Sequence, residues 1–90
     1  MPHTAIHAFV SGRVQGVWFR AFTREQAKKY SVRGWARNLA DGRVEVQLEG
    51  AQQAVEQVLN ALHKGPRLAK VKEIIKEVVA CQNCQDFSIR

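Results

Sequence analysis

The chain has 90 residues, enough for one domain whose core is only just large enough to fold alone. Hydrophobic residues make up 46% and charged residues 24%, which excludes a disordered chain, and no apolar run approaches the roughly 18 residues of a membrane helix. The 14 basic and 8 acidic residues leave a net charge of +6, which attracts anions without choosing between nucleic acid, acidic membrane and a small phosphorylated molecule.

The opening MPHTAIHAFV lacks a basic region followed by an apolar core, so a cytoplasmic location is expected. Residues 5–11 place Ile6, Ala8 and Val10 on one face, as a strand does. Residues 12–19 contain two glycines and read as a loop. From Arg20 to about Ser31, Phe22, Ala27 and Tyr30 suit one stripe of a helix. Residues 32–38 read as a strand, and Leu39-Ala40-Asp41-Gly42 as a hairpin connection, because Asp-Gly tolerates positive φ.

The clearest strand follows. Val44, Val46 and Leu48 alternate with Arg43, Glu45, Gln47 and Glu49, which predicts one buried and one wet face ending at Gly50. Residues 51 to about 63 carry Ala51, Ala54, Val55, Val58, Leu59 and Leu62 at helical spacing, and Gly65-Pro66 stops that helix. Residues 71–79 are strand-like, and Phe87-Ser88-Ile89-Arg90 reads as a short terminal strand. The order βαββαβ predicts a single α+β domain over residues 1–90, ferredoxin-like, with two helices on one face of an antiparallel sheet.

One connection is chemically unusual. Gly12-Arg13-Val14-Gln15-Gly16-Val17-Trp18-Phe19-Arg20 joins the first strand to the first helix. Glycines let a backbone turn tightly and approach a ligand, and successive N–H groups in such a loop can converge on an anion at a helix start. Arg20 sits in the first helical turn, where acidic residues are favoured, and a bound anion reconciles its charge with the helix dipole. A tight turn with a solvated arginine has the same spacing.

GRVQGVWFR resembles the signature loop of the acylphosphatase family, Gly-x-Val-Gln-Gly-Val-x-Phe-Arg. A second stretch, Gly34-Trp35-Ala36-Arg37-Asn38 followed by Gly42-Arg43-Val44 and Gly50, resembles that family's second signature. The resemblance covers essentially the whole chain, with residues 80–86 its weakest part. It implies hydrolysis of acyl phosphates to a carboxylate and inorganic phosphate, without metal or organic cofactor. It also implies that Arg20 grips the phosphate with the backbone of Val14, Gln15, Gly16, Val17, Trp18 and Phe19, while Asn38 holds the attacking water.

Those residue types suit that reaction. Phosphoryl transfer depends on positioning and on stabilising charge at the phosphoryl oxygens, which a forked guanidinium and a cradle of N–H groups supply. A carboxamide accepts from and donates to water. Asparagine before a hairpin is also common for conformational reasons alone.

His3, His7 and His63 show no close ligand spacing, so no metal site is expected. Cys81-Gln82-Asn83-Cys84 falls between two predicted strands rather than at a helix start, so it reads as a local thiol pair. Trp18 and Trp35 read as packing around the loop. The competing functions are a single-stranded nucleic-acid-binding module and a regulatory domain that binds a small anion, since this fold hosts both. The basic-Gly-aromatic pattern of RNA-recognition strands is missing, so the expected partners are a small acyl phosphate and inorganic phosphate, with no nucleic acid and no membrane. A monomer is expected.

Overall fold

The computed structural model describes residues 3–90. Seven elements follow in order: β1 (His3–Arg13), α1 (Phe19–Lys29), β2 (Arg33–Asn38), β3 (Val44–Ala51), α2 (Gln52–Lys64), β4 (Lys70–Val78) and β5 (Phe87–Ile89). The strands form one sheet ordered β4-β1-β3-β2-β5. The pairs β1–β3, β1–β4 and β2–β3 are antiparallel, as expected of the βαββαβ arrangement. β5 adds a fifth strand parallel to β2, which makes the sheet mixed.

The ladder β1–β3 sets Ala8 opposite Val46 and Val10 opposite Val44. Cross-strand partners share a face, so these residues line one side of the sheet together with Leu48 and Ala36. Val55, Val58, Leu59 and Leu62 from α2, and Phe19 and Ala27 from α1, close on that side to complete the core. Phe19 is 1% exposed, and burying such a ring stabilises by about 1.5–3 kcal/mol. That burial fixes where α1 begins, one residue earlier than the sequence pattern suggests. β1 likewise runs on through Gly12 and Arg13, because both pair with β4 beyond a register shift after Ser11.

The opposite face departs from expectation. Strand alternation predicts that Glu45, Gln47 and Glu49 face water, yet they are 7%, 1% and 1% exposed. The cover comes from residues 79–86, the stretch with the weakest resemblance to any pattern. Val79 N–H donates to Ala5 O and Gly34 N–H to Asp86 O, both at 2.9 Å, and these bonds tie the segment across the sheet. Beneath it, Glu49 accepts from the N–H groups of Gln82 (2.6 Å) and Cys84 (3.2 Å) and from Gln47 Nε2 (2.8 Å). Trp35 donates from its indole to Gln82 Oε1 at 2.9 Å. Further along β3, Glu45 bridges His7 and Arg37, accepting from His7 Nε2 at 2.7 Å.

Burial pushes the carboxyl of Glu49 up in pKa, but the donors from Gln82, Gln47 and Cys84 outweigh it and hold the group below its ordinary value. The same contest at Glu45, with Arg37 and His7 as donors, ends in the same direction. A carboxylate whose pKa is depressed by folding stabilises the fold above its unfolded pKa and loses that contribution as pH falls through the folded one. Stability is therefore expected to fall as pH drops below about 4.5, the ordinary value. Glu49→Gln should lose about 1–3 kcal/mol at pH 7 and show a shallower acid dependence, read from urea midpoints between pH 3 and pH 7.

Candidate active site

The link between β1 and α1 is built by an alternation of backbone hand. Gly16 has φ of 75° and Trp18 has φ of 66°, both left-handed, while Val17 lies outside that region and Phe19 begins the helix. Alternating hands in this way turns successive N–H groups toward one side, the geometry of an anion nest. None of the N–H groups of residues 15–21 donates to a protein acceptor among the described residues. α1 has no acidic residue in its first turn and no side-chain cap, so the open end of the helix adds to the same donors.

The glycines do different jobs. A Cβ on Gly12 would lie 2.1 Å from Lys70 O, so this residue lets β1 pack against β4 and belongs to the sheet rather than to the nest. A Cβ on Gly16 would meet nothing within 4 Å. Its requirement is conformational, since left-handed φ strains any side-chain-bearing residue. Trp18 accepts that strain and leaves its ring 80% exposed at the rim. It does not pack around the loop as expected, because its left-handed backbone aims it outward. Trp35 does pack, at 5% exposure on the sheet's second face, flanked by the guanidinium groups of Arg37 and Arg90.

A cavity of about 470 Å³ opens over this loop. Val14, Gly16, Trp18, Phe19, Arg20 and Asn38, all candidates from the sequence, line it. Arg20 is half-buried and donates from Nη1 to the main-chain oxygen of Arg90 at 3.2 Å, a contact that the parallel pairing of β5 with β2 makes available. Asn38 reaches the cavity as the last residue of β2, paired with Val44. Side chains two apart share a strand face, so Asn38 follows Ala36 toward the helical side.

Gln15 and Val17 do not line the cavity. Val17 is buried in the core beneath the loop. Gln15 Nε2 donates to Leu39 O at 2.8 Å and to Arg43 O at 2.9 Å, so it clamps the loop to the turn between β2 and β3. The turn is itself closed by Leu39 N–H on Arg43 O, and Asp41 accepts from the Arg43 N–H and guanidinium. The Arg43 N–H, then its side chain, lowers the Asp41 pKa.

Three further residues line the cavity that sequence reasoning missed: Ala21, Arg24 and Ile89. Arg24 lies four residues after Arg20, and helical spacing alone puts it on the same face. Ile89 carries no such signal, since its place depends on a parallel pairing.

The family model for acylphosphatase matches residues 6–89. This chain belongs to the acylphosphatase family. An acylphosphatase from Nitrosococcus oceani is 48% identical over 87 residues, covering 97% of this chain and 98% of that one. The structure of an acylphosphatase from Coxiella burnetii superposes with a TM-score of 0.94 at 35% identity, covering 98% of this chain and 93% of its own. The acylphosphatase from Bacillus subtilis gives 0.93 at 36% identity, with 96% and 97% covered. The family is one of hydrolases, and membership implies a small acyl phosphate as substrate and phosphate as product.

Other chemistry-bearing residues stand apart from this cavity. No group of three or more His, Cys, Asp or Glu side chains among the described residues could hold a metal ion. No described helix is long and apolar enough to cross a membrane. Cys81 and Cys84 are free thiols in the segment that covers the second face of the sheet. Burial and the neighbouring Glu49 carboxylate push the Cys84 thiol up in pKa, which disfavours the nucleophilic thiolate. Replacing both cysteines with serine should leave turnover within about twofold, as expected away from the reacting groups. A larger loss in phosphate release by the folded variant would place them in the chemistry.

Proposed function

We infer that this protein hydrolyses acyl phosphates by direct attack of water, with the phosphoryl group held by Arg20 and the N–H groups of the loop and the water held by Asn38. The observation that supports this most strongly is one cavity combining a run of unpaired N–H groups, a half-buried guanidinium and a carboxamide from a different element. Every one of these groups can donate a hydrogen bond, which suits charge gathering on phosphoryl oxygens.

In the reaction the water oxygen bonds to phosphorus as the bond from phosphorus to the acyl oxygen breaks. The carboxylate leaves with the electron pair. It is a weak base, so it departs without a general acid, consistent with the absence of any carboxyl or imidazole among the cavity-lining residues. Asn38 orients the water but is a poor base, so the water's proton passes to a phosphoryl oxygen of the substrate itself. The protein acts as a monomer in the cytoplasm in this reading, without nucleic acid as a partner.

The competing reading as a nucleic-acid platform is disfavoured by the second face of the sheet. RNA-recognition modules of this topology stack bases on exposed strand aromatics. Here that face carries three carboxylate or carboxamide side chains, Glu45, Gln47 and Glu49, and much of it lies under residues 79–86.

Two measurements test the mechanism. Turnover of benzoyl phosphate should persist in a strong chelator, since no cluster of metal-ligating side chains lies among the described residues. Loss of activity on chelation, with recovery on adding a divalent ion, would contradict the metal-free route. The second measurement separates Arg20 from Asn38. Arg20→Ala should damage binding and turnover together and abolish protection against heat by inorganic phosphate, because a ligand stabilises only the state that binds it. Arg20→Lys should rescue little, since an ammonium lacks the bidentate fork. Asn38→Ala should keep phosphate protection while kcat falls about 10²–10³-fold. A fully active Asn38→Ala, or one that loses phosphate binding as Arg20→Ala does, would overturn these roles.

A further inference from the structure

The cavity carries a second guanidinium besides that of Arg20. Arg24 lines it one helical turn beyond Arg20, about 6 Å further along the axis at 1.5 Å per residue. Among the described residues neither guanidinium takes part in an ion pair, and no carboxylate lines the cavity. Arg20 is at least tethered to Arg90 O, whereas the Arg24 guanidinium makes no hydrogen bond among the described residues. Like charges at this spacing repel, and Arg20 also lies in the first turn of α1, where the helix dipole disfavours cations. An anion between or beside the two members relieves that small repulsion.

The space is also larger than one phosphate requires. A volume of about 470 Å³ falls within the range of about 300–1,000 Å³ typical of small-molecule sites. Besides the polar groups, the cavity is lined by the apolar residues Trp18, Ala21 and Ile89, from the loop, α1 and β5. A phosphoryl group at the nest leaves the rest of this space for the acyl part of a substrate.

We propose that Arg24 selects acyl phosphates whose acyl group carries a second anionic group, a carboxylate or a phosphate, set beyond an apolar body. The proposal rests on the reading that Arg20 holds the transferred phosphoryl group. Small acyl phosphates without a second charge leave Arg24 unmatched and are the poorer substrates.

Rigid aromatic substrates test this without the self-cleavage that a flexible dicarboxylate allows. Two of them, meta-carboxybenzoyl phosphate and meta-carbamoylbenzoyl phosphate, match in size and differ in charge. Their kcat/KM values are compared in the unaltered protein, Arg24→Gln and Arg24→Lys. The carboxylate-to-carboxamide ratio should fall about five- to tenfold in Arg24→Gln, the scale of one partly exposed charge-assisted hydrogen bond, and be partly kept in Arg24→Lys. A ring phosphonate in place of the carboxylate identifies which anion the site prefers. An unchanged ratio in Arg24→Gln, or an equal loss on charged and neutral substrates, would overturn the proposal, the latter by making Arg24 a second ligand of the transferred phosphoryl group. Failure of the unaltered protein to release phosphate from benzoyl phosphate itself would instead strike the hydrolytic reading on which the proposal stands.

Discussion

The side-chain amide of Gln15 donates to two carbonyls, those of Leu39 and Arg43, on either side of the turn between β2 and β3. Through this pair of bonds, a loop that follows the first strand is fixed to a turn that lies some 24 to 28 residues further along the chain. The nest of N–H groups belongs to the loop, while Asn38 belongs to the strand that leads into the turn. Their relative placement is what a reaction between a held phosphoryl group and a held water demands, and small misplacements are costly in such chemistry. Phe19 and Val17 secure the same loop from below by burial in the core. The Gln15 side chain does not line the cavity, yet it ties both halves of it together.

Charge is divided between the two faces of the sheet. Donors collect on the helical side around the loop, with no carboxylate among the residues lining the cavity. Carboxylates collect on the other face, where Glu45 and Glu49 are buried and each is satisfied by several donors. A buried carboxylate is tolerable only when its oxygens are matched in this way. The segment 79–86 supplies two of those donors from its own backbone, which explains how an unpatterned stretch can lie across a sheet and stay there. The open cavity on the opposite side, with two guanidinium groups and no carboxylate among its lining residues, is receptive to small anions.

How legible each part is depends on the range of the interaction behind it. The alternation of Val44, Val46 and Leu48 follows from the period of a strand, and the stripe of Val55, Val58, Leu59 and Leu62 from that of a helix, so both are readable locally. The same alternation misjudges Glu45, Gln47 and Glu49, because charge at alternate positions says that a face is polar but not whether another segment covers it. Gly16 announces a backbone of special hand, and so does Gly12, but only the register of β1 on β4 distinguishes conformational need from close packing. Tryptophan usually packs, which is the expectation at Trp18; its left-handed φ sends it outward instead.

The sequence by itself determined the order of strands and helices, the core faces of β1, β3 and α2, the glycine-bearing link between β1 and α1, and the family. These rest on periodicity and on short stretches of contiguous residues, and a linear chain displays both. Tertiary structure alone decided that β5 lies parallel to β2 and so brings Ile89 to the cavity and the Arg90 main-chain oxygen to Arg20, and that the Gln15 side chain clamps the loop to the turn. It also decided that Arg24 shares a cavity with Arg20, and that residues 79–86 cover much of the second face. Each of these joins groups from distant parts of the chain through hydrogen bonds or packing, and such pairings exist only once the core has closed and brought the partners within reach.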